Sequence, residues 1–375
     1  ADPAYTNPLI GQQLTGGSTT VRAFWTPVRE AGAAARELLI GAAAQTWGVK
    51  EDRCRAENGV VLHRDSDRRL SYGALADKAA TLPVPKAVFL KDPKEFRILG
   101  KSMARLDTPA KVNGSAQFGQ DVRLEGMLVA TVARCPVFGG KVLSFDAGAA
   151  KAVPGVRHVV QIDAGVAVVA DGFWPAKVGR DLLKVEWNEG ALADLDSASI
   201  RARFVTAAAK EGVTARNEGD AVKVLAADAK KLEAVYEVPY LAHACMEPMN
   251  CTAHVRKDGC DIWVPTQAQG GVQKTAARIT GLPAESIRVH TTFLGGGFGR
   301  RSEQDFVAEA VQVSKAVGSA VQVMWTREDD TRHDYYRPAT YNRLAATLGR
   351  DGLPRAWSHH IVGPSSDAAA VPTST

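Results

Sequence analysis

The chain has 375 residues, of which 45% are hydrophobic and 23% charged, with a formal net charge of +5. That length suggests two or three domains of about 100 to 200 residues each, and the balance of apolar and charged residues excludes a disordered chain. Lys and Arg are scattered among acids without the basic stripe of a nucleic-acid binder, so a small anionic ligand is the better expectation.

Residues 27–47, PVREAGAAARELLIGAAAQTW, predict a helix, with Pro27 in the first turn and Val28, Ala31, Ala35, Leu38 and Leu39 on one stripe. A short strand follows at 59–63, a second helix at 70–82, and PVPKAVFLKDPKEF reads as a linker. From about Asp107 the texture changes to strands at 127–134, 156–162, 166–170 and 182–187, with a helix in DAGAAKAVPG stopped before Pro154-Gly155. This reads as a compact α+β domain reaching about Val213. NEGDAVKVLAADAKK reads as a polar, exposed connection. The third region holds strands at 232–240, 260–269 and 287–294 and a helix from Gly271 to Gly281. A further helix carries Phe306, Ala310, Val313 and Val317, then comes a strand at 321–326 and a hairpin around Gly349-Arg350-Asp351-Gly352.

Cys54, Cys135, Cys245, Cys251 and Cys260 have no CxxC or Cys/His spacing, so neither a zinc nor an iron–sulfur site is expected in this chain, and buried free thiols are the simpler reading. No apolar run approaches the ~18 residues of a membrane span. Both ends read as the interior of a longer sequence, and a fragment is expected.

The segment FLGGGFGRRSEQDF, 293–306, stands between a strand and a helix, where glycines let the backbone approach a ligand and a helix N-terminus presents unpaired N–H groups. It is neither a dinucleotide fingerprint nor a P-loop, because Arg300 falls where a third glycine belongs and no Gly-Lys-Ser/Thr follows. A tight turn at a crowded packing site is the competing reading. TGGSTT, 15–20, is a second phosphate-cradle candidate or a simple Ser/Thr turn. PTQAQGG, 265–271, places Gln267 and Gln269 at a strand end, where an amide both donates and accepts, against a solvated loop. LAHACMEPMNCTA, 241–253, brings His243 and Glu247 close together, either as an acid/base pair or as buried, satisfied polar groups, and the second is favoured. No G-x-S-x-G elbow supports a hydrolase triad.

GGGFGRR, PTQAQGG, LAHACMEPMNCTA and RLDTPAKVNGSAQFGQDVRLEGMLVATVARCP together resemble the large molybdenum-binding subunit of the xanthine dehydrogenase and aldehyde oxidase family. The likeness is nearest to the isoquinoline 1-oxidoreductase beta-subunit type, also known as the large subunit of some membrane-associated aldehyde dehydrogenases, and covers nearly the whole chain. The resemblance implies an α/β hammerhead domain at 108–213, flanked by portions of a molybdopterin-binding domain at 1–90, in permuted order, and at 214–375, with 91–107 as linker. It implies that Gln267 stands beside the metal's oxo or sulfido ligands and that Gly296, Gly297, Phe298 and Gly299 lie against the pterin and metal. It further implies that Arg300 and Arg301 meet phosphate or nearby carboxylates, and that Gly16, Gly17, Ser18 and Thr19 hold the phosphates of a molybdopterin cytosine dinucleotide. Ser302 departs from members that carry a glutamate there. The family's catalytic glutamate, in a Gly-Glu segment near its C-terminus, is not found here, and neither Glu247 nor Glu303 takes its place.

The resemblance also implies a small 2Fe–2S partner subunit, a cytochrome c partner, the remainder of the polypeptide, a small-molecule substrate and a periplasmic setting. The implied reaction is hydroxylation of an N-heteroaromatic ring or oxidation of an aldehyde. The rivals are a nicotinamide- or flavin-dependent dehydrogenase, and a catalytically inactive fragment that binds no cofactor.

Overall fold

In the computed structural model, residues 3–6, 11–228 and 230–364 are described. They fall into two units, Thr15–Ala116 and a second that runs from Gln117 onward and includes the described residues up to Leu14.

In the first unit a helix, α1 (Thr19–Trp47), packs the C-terminal half of its length on a small antiparallel sheet of β1 (Cys54–Glu57), β2 (Val60–His63) and β3 (Arg69–Ser71). Ala42, Ala43 and Ala44 of α1 are buried with Cys54, Val61 and Leu75, the last from α2 (Tyr72–Ala80). Ser71 caps α2, its hydroxyl accepting from the Ala74 N–H at 3.1 Å. The sequence placed the start of α1 at Pro27, but the helix begins eight residues earlier and Pro27 lies inside it. Proline tolerates a first turn best and removes one ladder bond elsewhere. Here Trp25, packed edge-on against Phe96, and Arg29, over both rings, hold the flanking turns. The unit ends with α3 (Thr108–Val112).

The second unit is organised by a seven-stranded mixed sheet. Its strands are β4 (Leu128–Arg134), β6 (Val156–Ile162), β7 (Gly165–Ala170), β10 (Asn250–Val255), β11 (Cys260–Val264), β12 (Ile287–Thr291) and β13 (Val321–Met324). They lie in the order β12-β11-β10-β13-β4-β7-β6. Strands from the 108–213 and 214–375 stretches thus share one sheet, joined by the parallel pairing of β4 with β13. β7 is buried along all six residues, as expected for a strand covered on both faces. α4 (Gly148–Lys151) and α5 (Phe173–Asp181) cover one end, with Gly179 pressed so close to Val168 and Val156 that an added Cβ would sit 2.9 and 3.0 Å from their methyl groups.

α8 (Gln269–Thr280) and α9 (Asp305–Val317) bury Val272, Ala276, Phe306, Ala310 and Val313 against β10, β11 and β13 in the main core. α9 follows the period read from Phe306, Ala310, Val313 and Val317. The NEGDAVKVLAADAKK connection is not wholly irregular: it carries α7 (Ala221–Ala227), started by Asp220, whose carboxylate accepts from the Lys223 N–H at 3.2 Å. A separate sheet of β9 (Leu232–Val238), β14 (Thr340–Leu348) and β15 (Pro354–Val362) contains the expected hairpin. α6 (Ser197–Ala208) contacts this sheet through Arg343, which donates to the Ala208 carbonyl at 3.0 Å. β5 (Lys141–Asp146) and β8 (Lys184–Asn188) form a two-stranded ribbon. α10 (Arg327–Arg332) follows β13 behind a Thr326–Asp329 capping box.

All five cysteines are buried and unpaired. Among the described residues no helix is long and apolar enough to cross a membrane.

Candidate functional site

β11 and β12 run parallel, so both deliver their C-terminal ends to the same edge of the sheet, where α/β proteins commonly place ligands. β11 opens there into Pro265-Thr266-Gln267, and β12 into the glycine loop. The two segments are laced together. The Gln267 N–H donates to the Arg301 carbonyl at 3.0 Å, the Thr266 hydroxyl to the same carbonyl at 3.1 Å, and the Gly299 N–H to Gln267 Oε1 at 3.1 Å.

The glycines are dictated by crowding and by conformation. A Cβ on Gly297 would lie 2.5 Å from Gln267 Oε1, and one on Gly295 would lie 2.4 Å from the Glu247 Cβ. Gly296 and Gly299 take φ of +98° and +104°, values that an L-residue adopts only at a cost. Phe298 also takes a positive φ, 56°, and its ring is 77% exposed. An aromatic residue held in that conformation and turned to solvent is unusual enough to point to function. The N–H groups of Gly296, Gly297 and Phe298 have no hydrogen-bond partner among the described residues. Three consecutive donors beside an amide form an edge able to receive a polar, electron-rich ligand.

Behind this edge the side chains are spent on structure. Arg301 is fully buried: its Nε donates to the Gly296 carbonyl at 2.6 Å, and a terminal nitrogen reaches the Glu247 carbonyl at 2.6 Å and Glu247 Oε2 at 3.2 Å. Arg300, 1% exposed, makes a two-pronged pair with Asp305 at 2.9 and 2.7 Å and stacks near Trp325 and Tyr335. Its Nε stands 2.7 Å from Asp334 Oδ1, an ion-pair contact that lacks hydrogen-bond alignment. Both arginines therefore meet carboxylates of this unit, and neither guanidinium is turned toward an incoming phosphate.

Glu247 and His243 have separate partners. His243 pairs with Asp334 through its backbone N–H and through Nδ1 at 3.0 Å. The Glu247 carboxylate accepts from Gln120 N at 3.1 Å, Asn250 Nδ2 at 3.0 Å, Gly295 N at 2.8 Å and Arg301. Four donors occupy the carboxylate's acceptor sites, so it clamps three chain segments instead of taking a proton from a substrate. Burial pushes the Glu303 carboxyl upward, reinforced by Asp305 and opposed by Arg300 and His243. The Cys245 thiol, which donates to the Gly297 carbonyl at 3.5 Å, is likewise raised by burial and stays neutral.

Sequence reasoning missed Gly119. A Cβ there would stand 2.3 Å from Asn250 Oδ1 and 2.6 Å from Pro265, so the 117–121 segment lies directly on the Pro265 turn. Phe118 pairs with Phe293 by a backbone bridge and a tilted ring contact at 5.9 Å. The only signal was a lone FGQD, which does not reveal a packing partner far along the chain.

Gly16, Gly17, Ser18 and Thr19 belong to the first unit, where they form the N-terminal turn of α1. Both the Thr19 N–H and its hydroxyl donate to the Gly16 carbonyl, at 3.2 and 2.7 Å. Gly17 and Ser18 take φ of 59° and 52°, and the Ser18 hydroxyl makes no capping bond. A Cβ on Gly16 would meet nothing within 4 Å, which leaves the turn open to an anion at a helix N-terminus. A cavity of about 440 Å³ lined by Glu233, Arg343 and His360 lies instead on the β9–β14–β15 sheet.

The model for the molybdopterin cofactor-binding domain matches residues 205–372. The isoquinoline 1-oxidoreductase subunit beta of Brevundimonas diminuta is 32% identical, over 97% of this chain and 52% of that protein. The membrane-bound aldehyde dehydrogenase (pyrroloquinoline-quinone) of Gluconacetobacter polyoxogenes is 30% identical, over 90% and 46%. Among solved structures, the aldehyde oxidoreductase of Desulfovibrio gigas superposes with a TM-score of 0.58 at 19% identity, over 78% of this chain and 38% of that one. Quinoline 2-oxidoreductase from Pseudomonas putida 86 gives 0.54 at 20%, over 70% and 39%. These two likenesses establish a shared fold. The chain spans about half the length of the curated relatives it matches.

Proposed function

The chain belongs to the xanthine dehydrogenase and aldehyde oxidase family as a molybdopterin-binding subunit, and from that premise we propose that it forms part of a molybdenum hydroxylase. Such an enzyme oxidises aldehydes or hydroxylates N-heteroaromatic rings with water as the oxygen source. The observation that carries this reading is the glycine edge: Gln267 anchored to Gly299 at 3.1 Å, next to three N–H groups with no hydrogen-bond partner among the described residues.

That edge fits the cofactor chemically. The dithiolene and oxo or sulfido groups of a molybdenum centre accept hydrogen bonds, and the backbone N–H groups of Gly296, Gly297 and Phe298 offer donors to receive them, with Gln267 standing beside them. When bound, the cofactor supplies two-electron redox chemistry. The chain's own part is to orient and to shield. Gln267 is held by its neighbours in one orientation, the loop backbone stands close because it carries no Cβ, and the Phe298 ring offers an apolar face that keeps water from the reacting carbon. The pterin carries a cytosine dinucleotide in this reading, and the open Gly16–Thr19 turn at the head of α1 takes its phosphates. Residues 108–213 are assigned to the α/β hammerhead domain, with 1–90 and 214–375 contributing to the molybdopterin-binding part.

The catalytic base is assigned to polypeptide beyond these 375 residues, because Glu247 is fully occupied. Electrons leave through a 2Fe–2S subunit, with a cytochrome c as a further acceptor, and the complex works in the periplasm. Metal analysis and absorption spectra of the full-length protein test the reading. Molybdenum near one per chain supports it, whereas bound flavin or nicotinamide without molybdenum overturns it. Gln267→Ala is expected to lower the molybdenum and pterin content measured after dialysis.

A further inference from the structure

We propose that the outer face of the small sheet in the first unit is a binding site for a phosphate-bearing small molecule, separate from the Gly16–Thr19 turn. The argument begins with strand alternation. Cys54, Val61 and Leu70 point into the core beneath α1, so Arg55, Leu62 and Arg69 point the other way. The register places them in one row: Arg55 pairs with Leu62, and Leu62 with Arg69. Strands lie about 4.8 Å apart, so the two arginines flank Leu62 with their backbones roughly 10 Å from each other. Arg64 continues the same face beyond Leu62, and its N–H donates to the Arg53 carbonyl at 2.8 Å, which sets two arginines opposite each other at the end of the ladder.

Like charges directly opposite on a sheet oppose folding, and the described acids do not relieve them fully. Arg53 has Asp65 at 3.3 Å, and Arg55 lies 3.7 Å from a Glu57 that also pairs with Arg97. The Arg64 and Arg69 side chains have no ion pair or hydrogen bond among the described residues. Together with Arg55, Leu62, Ser66 and Asp67 they line a cavity of about 710 Å³. Guanidinium groups bind phosphate through two parallel N–H bonds, and Leu62 offers an apolar contact for the group that carries the phosphate, whereas the Ser66 hydroxyl is engaged with His63 Nδ1 at 2.8 Å and Arg68 Nε at 3.1 Å. Among the described lining residues, Asp67 alone opposes an anion.

The site is remote from the phosphate turn at the start of α1. The sheet packs on Ala42–Ala44 at the far end of a 29-residue helix, which at 1.5 Å per residue spans roughly 40 Å.

The test is calorimetric and thermal titration of the 375-residue chain at low ionic strength with inorganic phosphate and with phenyl phosphate, against chloride at matched ionic strength. Saturable one-to-one binding and a rise in melting temperature are expected. Affinity should fall at least about tenfold in the Arg64→Gln/Arg69→Gln double variant, whose melting temperature without phosphate should equal or exceed that of the parent because a repulsion has been removed. Tighter binding of phenyl phosphate, lost in Leu62→Ser, assigns the site to an organic phosphate, and equal binding assigns it to free phosphate. No saturable response, or the same response in the double variant, overturns the proposal. So does a response abolished only by Thr19→Val, which would place the anion at the turn, or binding of an acidic peptide where neither phosphate binds.

Discussion

Replacing Glu247 by glutamine separates two roles that the residue type alone leaves open. The change is nearly isosteric, but it puts an NH2 group where two of four hydrogen-bond donors now converge. Whichever way the amide turns, it faces either Gln120 N and Asn250 Nδ2 or Gly295 N and Arg301 with donors of its own. It also removes the countercharge of Arg301, which is 0% exposed. Breaking a buried pair from one side costs about 3 to 5 kcal/mol, and an opposed backbone N–H costs a further ~1 to 3 kcal/mol before relaxation. The two are not additive, since the same side chain makes both contacts, and about 4 kcal/mol is a reasonable expectation.

For a unit of this size each kcal/mol moves the midpoint by about 2 to 4 °C. Glu247→Gln should therefore lower the melting temperature by roughly 8 to 16 °C, read by circular dichroism on the transition that belongs to the larger unit. A general base would behave differently, because its glutamine variant loses turnover while the fold melts as before. A melting temperature within about 2 °C of the parent, with the glycine loop unchanged in a crystal structure of the variant, would refute the clamp.

The loop glycines should rank by what a methyl group meets. Gly295→Ala collides with the Glu247 Cβ and backbone and should cost at least ~2 kcal/mol, whereas Gly297→Ala meets the movable end of Gln267 and should cost ~1 kcal/mol while breaking the Gly299 contact. Urea denaturation of both variants checks the order. Arg134→Met strips Glu309 of a bidentate partner on a carboxylate that also accepts from Trp325 Nε1 at 2.8 Å. A loss of about 3 to 5 kcal/mol is expected, largely recovered when Glu309→Leu is added. Burial, reinforced by Arg134, Arg332 and Arg180 against Asp329, holds the His333 pKa down to about 4. Between about pH 4 and 6.5 the unfolded chain then binds more protons than the folded one, so stability rises with pH by at most ~1.4 kcal/mol per unit. His333→Gln should flatten that slope in urea midpoints taken across the window, and parallel slopes would count against it.

Elements with a long apolar period were legible. α9 could be read from Phe306, Ala310, Val313 and Val317, and the β14–β15 hairpin from alternation around its glycine turn, because each buries one face against a neighbour. α10 could not, since REDDTR has no apolar face, and the capping box that starts it depends on one threonine and one aspartate. α5 was hidden by Pro175 and Gly179, although proline is at home in a first turn and that glycine is what lets the helix settle on β7. The start of α1 went astray for a related reason. Pro27 is a reasonable first-turn residue, and nothing local shows that Thr19 to Thr26 continue the helix on its other side.

The site shows the limit most sharply at the two arginines. GGGFGRR invites the reading that glycines make room and cations bind the anion, since Arg300 and Arg301 lie beside the loop in sequence. Their charges are in fact consumed by Asp305, Asp334 and Glu247, partners up to fifty-odd residues away that no local pattern could assign. A buried guanidinium must be paired where it lies, so an arginine next to a glycine loop speaks first of what sits beneath the loop. What remains for a ligand among the described residues is the glycine edge itself, with its backbone N–H groups. A binding surface of that kind depends on conformation more than on side-chain identity, and so on the Glu247 clamp that holds the loop in place.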